Sequence, residues 1–337
     1  MIVWRGFGWV LLAMCVMAPV SPRPQGRLAP AVTARTTEDG NLSVMTYNIK
    51  AQPWPLATGR ADAVAAIGER LAAMRAAGRQ PNIVLLQEAF TPQARSIAAA
   101  AGYRFMARGP TRAPDRGNTL LGADFAAASR WDRGEESAPV LDSGLLILSD
   151  YPIVRSESIA FPAGACAGFD CLASKGVMIA WVAVPGQGEP VAVVNTHLNS
   201  RNSTHVSVAR ADRAHVWQVA ALRETVLQNI SAGTSTIFGG DTNVGLVPSR
   251  QAVFDAHAPL GASSRDALKE ALVGLKVDPG SLEEADGVVA RNKDMIIFAD
   301  GRSRHFEILD ASVPFPVNGP DALSDHAGFV VRFQLSE

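Results

Sequence analysis

Ile237-Phe238-Gly239-Gly240-Asp241-Thr242-Asn243 reads as the end of a short apolar strand, begun at Thr236, whose two glycines lead into a polar turn carrying an aspartate and an asparagine. The pattern recurs along the chain. Leu42 to Asn48 ends on Tyr47-Asn48, Ile83 to Gln87 is followed by Glu88, and Val191 to Thr196 by His197. Lys293-Asp294 stands just before Met295 to Phe298, and Ser324-Asp325-His326 just before Gly328 to Leu335. Taken singly, an Asn or Asp beside a strand is a turn former, and a Glu or His there is a solvated or hydrogen-bonded structural residue. Taken together they describe a site. Carboxylates and amides without a cluster of Cys and His ligands suit a hard cation such as Mg²⁺, or Mn²⁺ or Ca²⁺, and not a structural zinc.

Further β-type runs are Gly144 to Leu148, Gly176 to Val184 and His305 to Leu309. Helical spacing is clear twice: Val64, Ile67, Leu71 and Met74 between Ala61 and Gly78, and Val219, Leu222, Val226 and Ile230 in the stretch reaching Ser231. Many strands with few helices predict sheets packed face to face with helices outside, rather than a doubly wound parallel sheet. Arg108 to Asp142, rich in Gly, Arg, Asp and Ala, reads as a long surface insertion.

In this order the motifs resemble the endonuclease/exonuclease/phosphatase, or DNase I-like, superfamily. The matching segments are LSVMTYNIK (42–50), IVLLQE (83–88), SGLLILSDYPI (143–153), VVNTHL (193–198), IFGGDTN (237–243), KDMIIF (293–298) and LSDHAGFVVRF (323–333). The resemblance implies an α/β (α+β) fold, a DNase I-like four-layer sandwich of two mixed β-sheets packed face to face with helices outside, with a divalent-metal phosphoesterase site at one edge. It places Glu88 and Asn48 on the metal, with Asp325 as a ligand or near neighbour. His326 becomes the general base or phosphate-polarising group, and Asp294 the carboxylate that orients it. Asp241 positions or deprotonates the attacking water, while Asn243 and His197 donate hydrogen bonds to the phosphate oxygens. Thr242 and Met295 stand where the family often has aromatics; neither removes a functional group.

The segment CAGFDCLASKGVMIAWV (166–182) resembles the neutral sphingomyelinase and phospholipase C-like branch, which implies Lys175 as a contact to the substrate phosphate; the plain alternative is a solvated lysine before a strand. The implied reaction is hydrolysis of a phosphodiester, with a phospholipid headgroup ahead of DNA as substrate. A catalytically dead binding module on the same scaffold is the reading from a different class, and the intact set of polar residues speaks against it. No protein partner is implied. Trp54 and Phe315 are candidate aromatics for a membrane surface, with local packing the simpler reading. His205, His215, His257 and His305 show no metal spacing and read as surface or structural residues, and Arg201, Arg210 and Arg213 as a solvated helix face.

The whole chain has 337 residues, 47% of them apolar, which excludes a disordered or collagen-like protein. One basic residue, Arg5, precedes the apolar stretch Gly8 to Val20, which is too short to span a bilayer and reads as a secretory signal, with an N-terminal anchor as alternative. Residues 1–30 are therefore assigned to export, 31–41 to a linker and 42–337 to one large domain, periplasmic or secreted. Removing 1–30 deletes three of the 31 basic residues and none of the 32 acidic ones, so the remainder carries 28 against 32, a formal charge of −4. That surplus disfavours general binding of nucleic acid. In an oxidising compartment Cys166 and Cys171, the pair left once Cys15 goes with the signal, are expected to form a small disulfide loop.

Overall fold

The computed structural model describes residues 41–53, 56–111 and 122–336. The signal, residues 31–40 of the linker and Trp54 lie outside them, and Asn41, assigned to the linker, opens the first strand. Among the described residues, strands β1 (Asn41–Asn48), β2 (Ile83–Gln87), β3 (Phe105–Arg108), β4 (Leu146–Ser149), β11 (His305–Phe315) and β12 (Gly328–Ser336) form one sheet, in the order β11-β12-β1-β2-β4-β3. The second sheet holds β5 (Ile153–Ala160), β6 (Gly176–Val182), β7 (Val191–His197), β8 (Thr236–Asp241), β9 (Arg265–Asp266) and β10 (Asp294–Ala299), in the order β5-β6-β7-β8-β10-β9. Each sheet has one parallel pair near its middle, β1 with β2 and β7 with β8, and is otherwise antiparallel.

Strand alternation builds the layers. Val44 of β1 and Val193 of β7 face each other's sheets in a core shared with Leu85, Ile147, Met178 and Ile237. One residue along, Met45 turns outward onto helices α1 (Arg60–Ala76) and α2 (Pro92–Ala100), and Val194 onto α4 (Val208–Asn229) and α5 (Pro248–His257). The result is helix, sheet, sheet, helix. Of the remaining helices, α3 (Ala123–Ala127) belongs to the insertion, whereas α6 (Ala267–Val273) and α7 (Leu282–Arg291) close one rim of the core with Leu268 and Val288. There Phe298, Phe306 and Phe333 stack edge to face with centroids 5.2 to 5.8 Å apart. Deleting one such ring costs about 3–5 kcal/mol in lost burial and residual cavity.

The two glycines that looked like a strand end do something else. β8 runs through them to Asp241 because the sheets approach so closely here that a Cβ on Gly239 would lie 2.5 Å from Leu85 Cδ1. Gly240 has φ +147°, and a Cβ there would sit 2.2 Å from the Thr196 carbonyl oxygen. Beneath the same end, Gln87 Nε2 donates to Asn195 Oδ1 (2.8 Å), and Asn195 Nδ2 donates to the carbonyls of Leu86 and Leu146 (3.0 Å each). A buried amide pair thus pins sheet to sheet directly under the polar strand ends.

Several elements were not foreseen. β5 is an exposed edge strand carrying Arg155 and Glu157 without regular alternation, so little apolar signal marks it. β11 continues past Pro314 because an edge strand can spare a donor. Helix α4 begins eleven residues before Val219, capped by Ser207, whose side chain accepts from the Arg210 amide. Residues 122–142, read as surface insertion, are docked: Phe125 is buried, Arg210 pairs with Glu135 at 2.7 Å, and Leu141 bridges to Ala173. Arg210 is accordingly not part of a solvated face. Arg201 pairs with Asp212 and Arg213 with Asp124. Phe315 is fully buried against Tyr47, which removes it as a membrane contact.

Candidate active site

Because both parallel pairs run the same way, the C-terminal ends of β1, β2, β7 and β8 and the N-terminal starts of β10 and β12 meet at one end of the sandwich. Register does the rest. His197 lies beside Asp241 in the parallel ladder, and Asp294 lies opposite Asp241 in the antiparallel one. Glu88, one residue beyond β2, has φ +54°, and Asn243, two beyond β8, has φ +48°; both strained turns swing a polar side chain off the strand direction.

Asn48 is the hinge of the metal side. Its Nδ2 donates to Glu88 Oε1 (3.1 Å) and to Asp241 Oδ2 (3.0 Å), so two carboxylates from different sheets converge on one amide. Burial raises the pKa of both carboxylates. Burial outweighs the nearby His326 charge for both carboxylates, and their converging oxygens fit a hard dication. Gln52 Nε2, from the loop after β1, holds the other Glu88 oxygen at 2.7 Å.

Across Asp241 stands a dyad. His326 Nδ1 binds Asp294 Oδ2 at 2.8 Å and Oδ1 at 3.0 Å, and its Nε2 lies 3.7 Å from Asp241 Oδ2. Burial works against a charge on this imidazole, but Asp294 and Asp241 outweigh it and push the pKa up to about 10. One ligand atom each from Asp241, Asp294 and His326 lie within 4.8 Å of one another, a second group able to hold a cation. With Nδ1 already engaged by Asp294, proton handling suits His326 better. His197 Nε2 approaches Asp241 Oδ2 from the opposite side at 3.6 Å, and burial, then the charge of Lys175, hold its pKa well below the ordinary histidine value.

The structure brings Asn48, Glu88, His197, Asp241, Asp294 and His326 into this cluster. Asn243 sits at its edge, its side chain donating to the Leu198 carbonyl at 3.0 Å. Asp325 is drawn away: it is exposed and paired with Lys50 at 2.7 Å, which with His326 overcomes the effect of burial and lowers its pKa. Lys175 is neither solvated nor open to the site. Its buried ammonium donates to Asp170 Oδ2 (2.9 Å) and to the same Leu198 carbonyl (3.0 Å) that orients Asn243. Cys166 and Cys171 are joined, S–S 2.01 Å, in the loop that carries Asp170. His215 is structural, buried with Nε2 2.9 Å from the Thr242 carbonyl.

Arg250 was missed. Fully buried on α5, it donates to the carbonyls of Asn199 and Asn243 (2.9 and 2.7 Å) and pairs with Asp212 at 2.7 Å, fixing the two loops that carry the phosphate-side groups. An arginine on a short helix gives no such signal in sequence. Ser324, whose hydroxyl donates to the Asn48 carbonyl at 2.7 Å, was legible only as part of its motif.

The model of the Endonuclease/Exonuclease/phosphatase family matches residues 45–265, about two thirds of the chain. The chain belongs to that family. It is also 27% identical over 315 residues to a sphingomyelinase of Mycobacterium tuberculosis, covering 89% of this chain and 54% of that protein, so it spans about half the length of that curated relative. Among solved structures it is similar to beta toxin from Staphylococcus aureus with bound magnesium ions, at TM-score 0.60 and 17% identity over 86% of this chain and 99% of the other. It is likewise similar to sphingomyelinase C from Streptomyces griseocarneus, at TM-score 0.53 and 21% identity over 87% and 99%. At those identities the structures show the shared DNase I-like sandwich.

Proposed function

We propose that this family member is a divalent-cation-dependent phosphodiesterase that cleaves the headgroup phosphodiester of a membrane phospholipid, with sphingomyelin as the first substrate to test. The observation that carries the reading is the placement of Asp241 between the Glu88–Asn48 pair and the His326–Asp294 dyad. Glu88, Asp241 and Asn48 would hold the cation, and when bound it neutralises charge building on the phosphate oxygens. Asp241 lies where it can orient a water for in-line attack. His326, fixed by Asp294 in one tautomer, moves a proton through Nε2 at the phosphate. His197 and Asn243 supply neutral hydrogen bonds around the same centre. The sphingomyelinase likeness and the −4 charge of residues 31–337 both favour lipid over DNA. We further propose that the chain is exported, a reading supported by the apolar Gly8 to Val20 stretch and the Cys166–Cys171 disulfide.

The test is parallel hydrolysis of sphingomyelin, phosphatidylcholine and plasmid DNA, with Mg²⁺ and with EDTA, at low and moderate salt. Lipid cleavage that needs Mg²⁺ and changes little between about 50 and 200 mM NaCl is expected, whereas DNA affinity built on phosphate contacts falls by orders of magnitude over that range. Plasmid nicking that exceeds lipid hydrolysis and collapses with salt would overturn the lipid reading.

A further inference from the structure

A cavity of about 520 Å³ lies where β5 ends and β6 begins, between the docked insertion, the disulfide loop and α4, and it is lined by none of the clustered residues Asn48, Glu88, His197, Asp241, Asp294 and His326. Its walls are mostly apolar: Phe125 and Pro139 from the insertion, Phe161 and Ala173 from the loop, and the Cys166–Cys171 bridge itself. Two cations border it, and each is already neutralised. Arg210 pairs with Glu135 at 2.7 Å and stacks over Phe125 at 3.7 Å, and Lys175 pairs with Asp170 at 2.9 Å. The Gln218 amide is spent as well, donating to the Ala165 carbonyl and accepting from the Asn199 amide. Ser174 differs: it lines the cavity, and its buried hydroxyl has no hydrogen-bond partner among the described residues.

We infer that this cavity is a binding site for an uncharged single-chain amphiphile, an alkyl chain ending in a hydroxyl or amide that pairs with Ser174. The size and the ratio of apolar wall to polar points are those of small-molecule sites. Among the described residues an anion finds no free cation on the wall and a cation no free carboxylate, because each charge lining it has its counter-charge in contact. A buried hydroxyl without a partner costs free energy, which a ligand end-group recovers after a turn about the serine Cα–Cβ bond. Occupancy also joins the insertion to the core, since opposite walls come from each. The inference does not depend on the proposed reaction.

The purified full chain is titrated with decan-1-ol and with decanoate, read by calorimetry and by Trp217 emission, since that indole lies 4.5 Å from the Phe125 ring. Saturable one-to-one binding of the alcohol is expected, at least about tenfold tighter than the carboxylate, because the latter must bury an unpaired charge. Ser174→Ala should weaken the alcohol about fivefold, the scale of one net hydrogen bond. Ala138→Trp at the rim should abolish binding; Ala163→Phe does the same from the facing loop should the first variant fold poorly. Amide exchange across residues 122–142 should slow in the complex. Delivery of 1-decanoylglycerol from phosphatidylcholine vesicles separates sources: binding of decan-1-ol from water assigns a dissolved ligand, binding from vesicles alone a membrane-borne one, and either upholds the site. Absence of saturable binding from both, equal affinity for decanoate, or indifference to both rim substitutions would overturn it.

Discussion

On one side of Asp241 stands His326, with Nε2 3.7 Å from Oδ2 and Nδ1 on the Asp294 carboxylate; on the other stands His197, with Nε2 3.6 Å from the same oxygen and Nδ1 without a partner among the described residues. Distance to Asp241 is nearly equal, yet the two imidazoles titrate in opposite directions. Burial disfavours charge on both. Asp294 and Asp241 reverse that for His326, whereas Lys175 and His326 itself add to it for His197. The carboxylate behind the ring, rather than the one shared in front, decides which histidine carries a proton. One side is built to move charge and the other to offer a neutral donor.

The harshest way to break this comparison is to remove each ring in turn. His326→Ala should lower kcat by about 10⁴-fold with little change in thermal stability, the upper range for a positioned acid or base. His197→Gln, which keeps a neutral N–H donor, should lose only about tenfold, the scale of one hydrogen bond to developing charge. Equal losses in steady-state assays would show that both sides handle protons.

Glu88→Gln is expected next in size, with about 10³-fold less activity and a Mg²⁺ titration shifted to higher concentration, because an amide is a poor ligand for a hard dication. An unchanged titration would take Glu88 off the metal. Asp294→Asn should follow, at about a hundredfold, since it loosens the imidazole and removes its supporting charge without deleting it. If Asp294→Asn proved more damaging than His326→Ala, the roles within the dyad would have to be exchanged.

Both sides of Asp241 were legible before any coordinates because strand ends announce themselves. Asp241, Glu88 and His326 each follow or precede an apolar run in a motif whose order is itself diagnostic; the apolar runs implied stacked sheets, and the family resemblance implied that there are two. What the chain does not announce is reach. Asp325 sits in the right motif, but Lys50, 275 positions away, draws it out of the cluster. Lys175 occupies a plausible phosphate position in sequence, yet Asp170 and the Leu198 carbonyl hold its ammonium inside the wall. The docking of residues 122–142 depends on Arg210 meeting Glu135 over 75 positions, and no local pattern encodes such a meeting. Alanine-rich α2 and the two-residue β9 left too little periodicity to read.

A third histidine lies outside the reacting groups. His215 is buried on α4 behind the His197 side, bonded through Nε2 to the Thr242 carbonyl and without a carboxylate in contact. Burial, then the Arg250 charge, lower its pKa to about 4. It should therefore behave as His197 does, and its neutrality must be written into the pH dependence of folding. The unfolded chain binds a proton at His215 near pH 6.5 and the folded chain only near 4, so stability is fully present above 6.5 and is lost as pH falls between those values. A shift of that size corresponds to about 3 kcal/mol at most. His215→Gln keeps a donor for the Thr242 carbonyl and removes the titration. In urea unfolding at a series of pH values, the variant should be less stable than the parent at pH 7.5, and the gap should close steadily toward pH 4.5 while activity at neutral pH is retained. A gap that stays constant with pH would mean that His215 titrates alike in both states, and that burial and the Arg250 charge are not what hold this imidazole neutral.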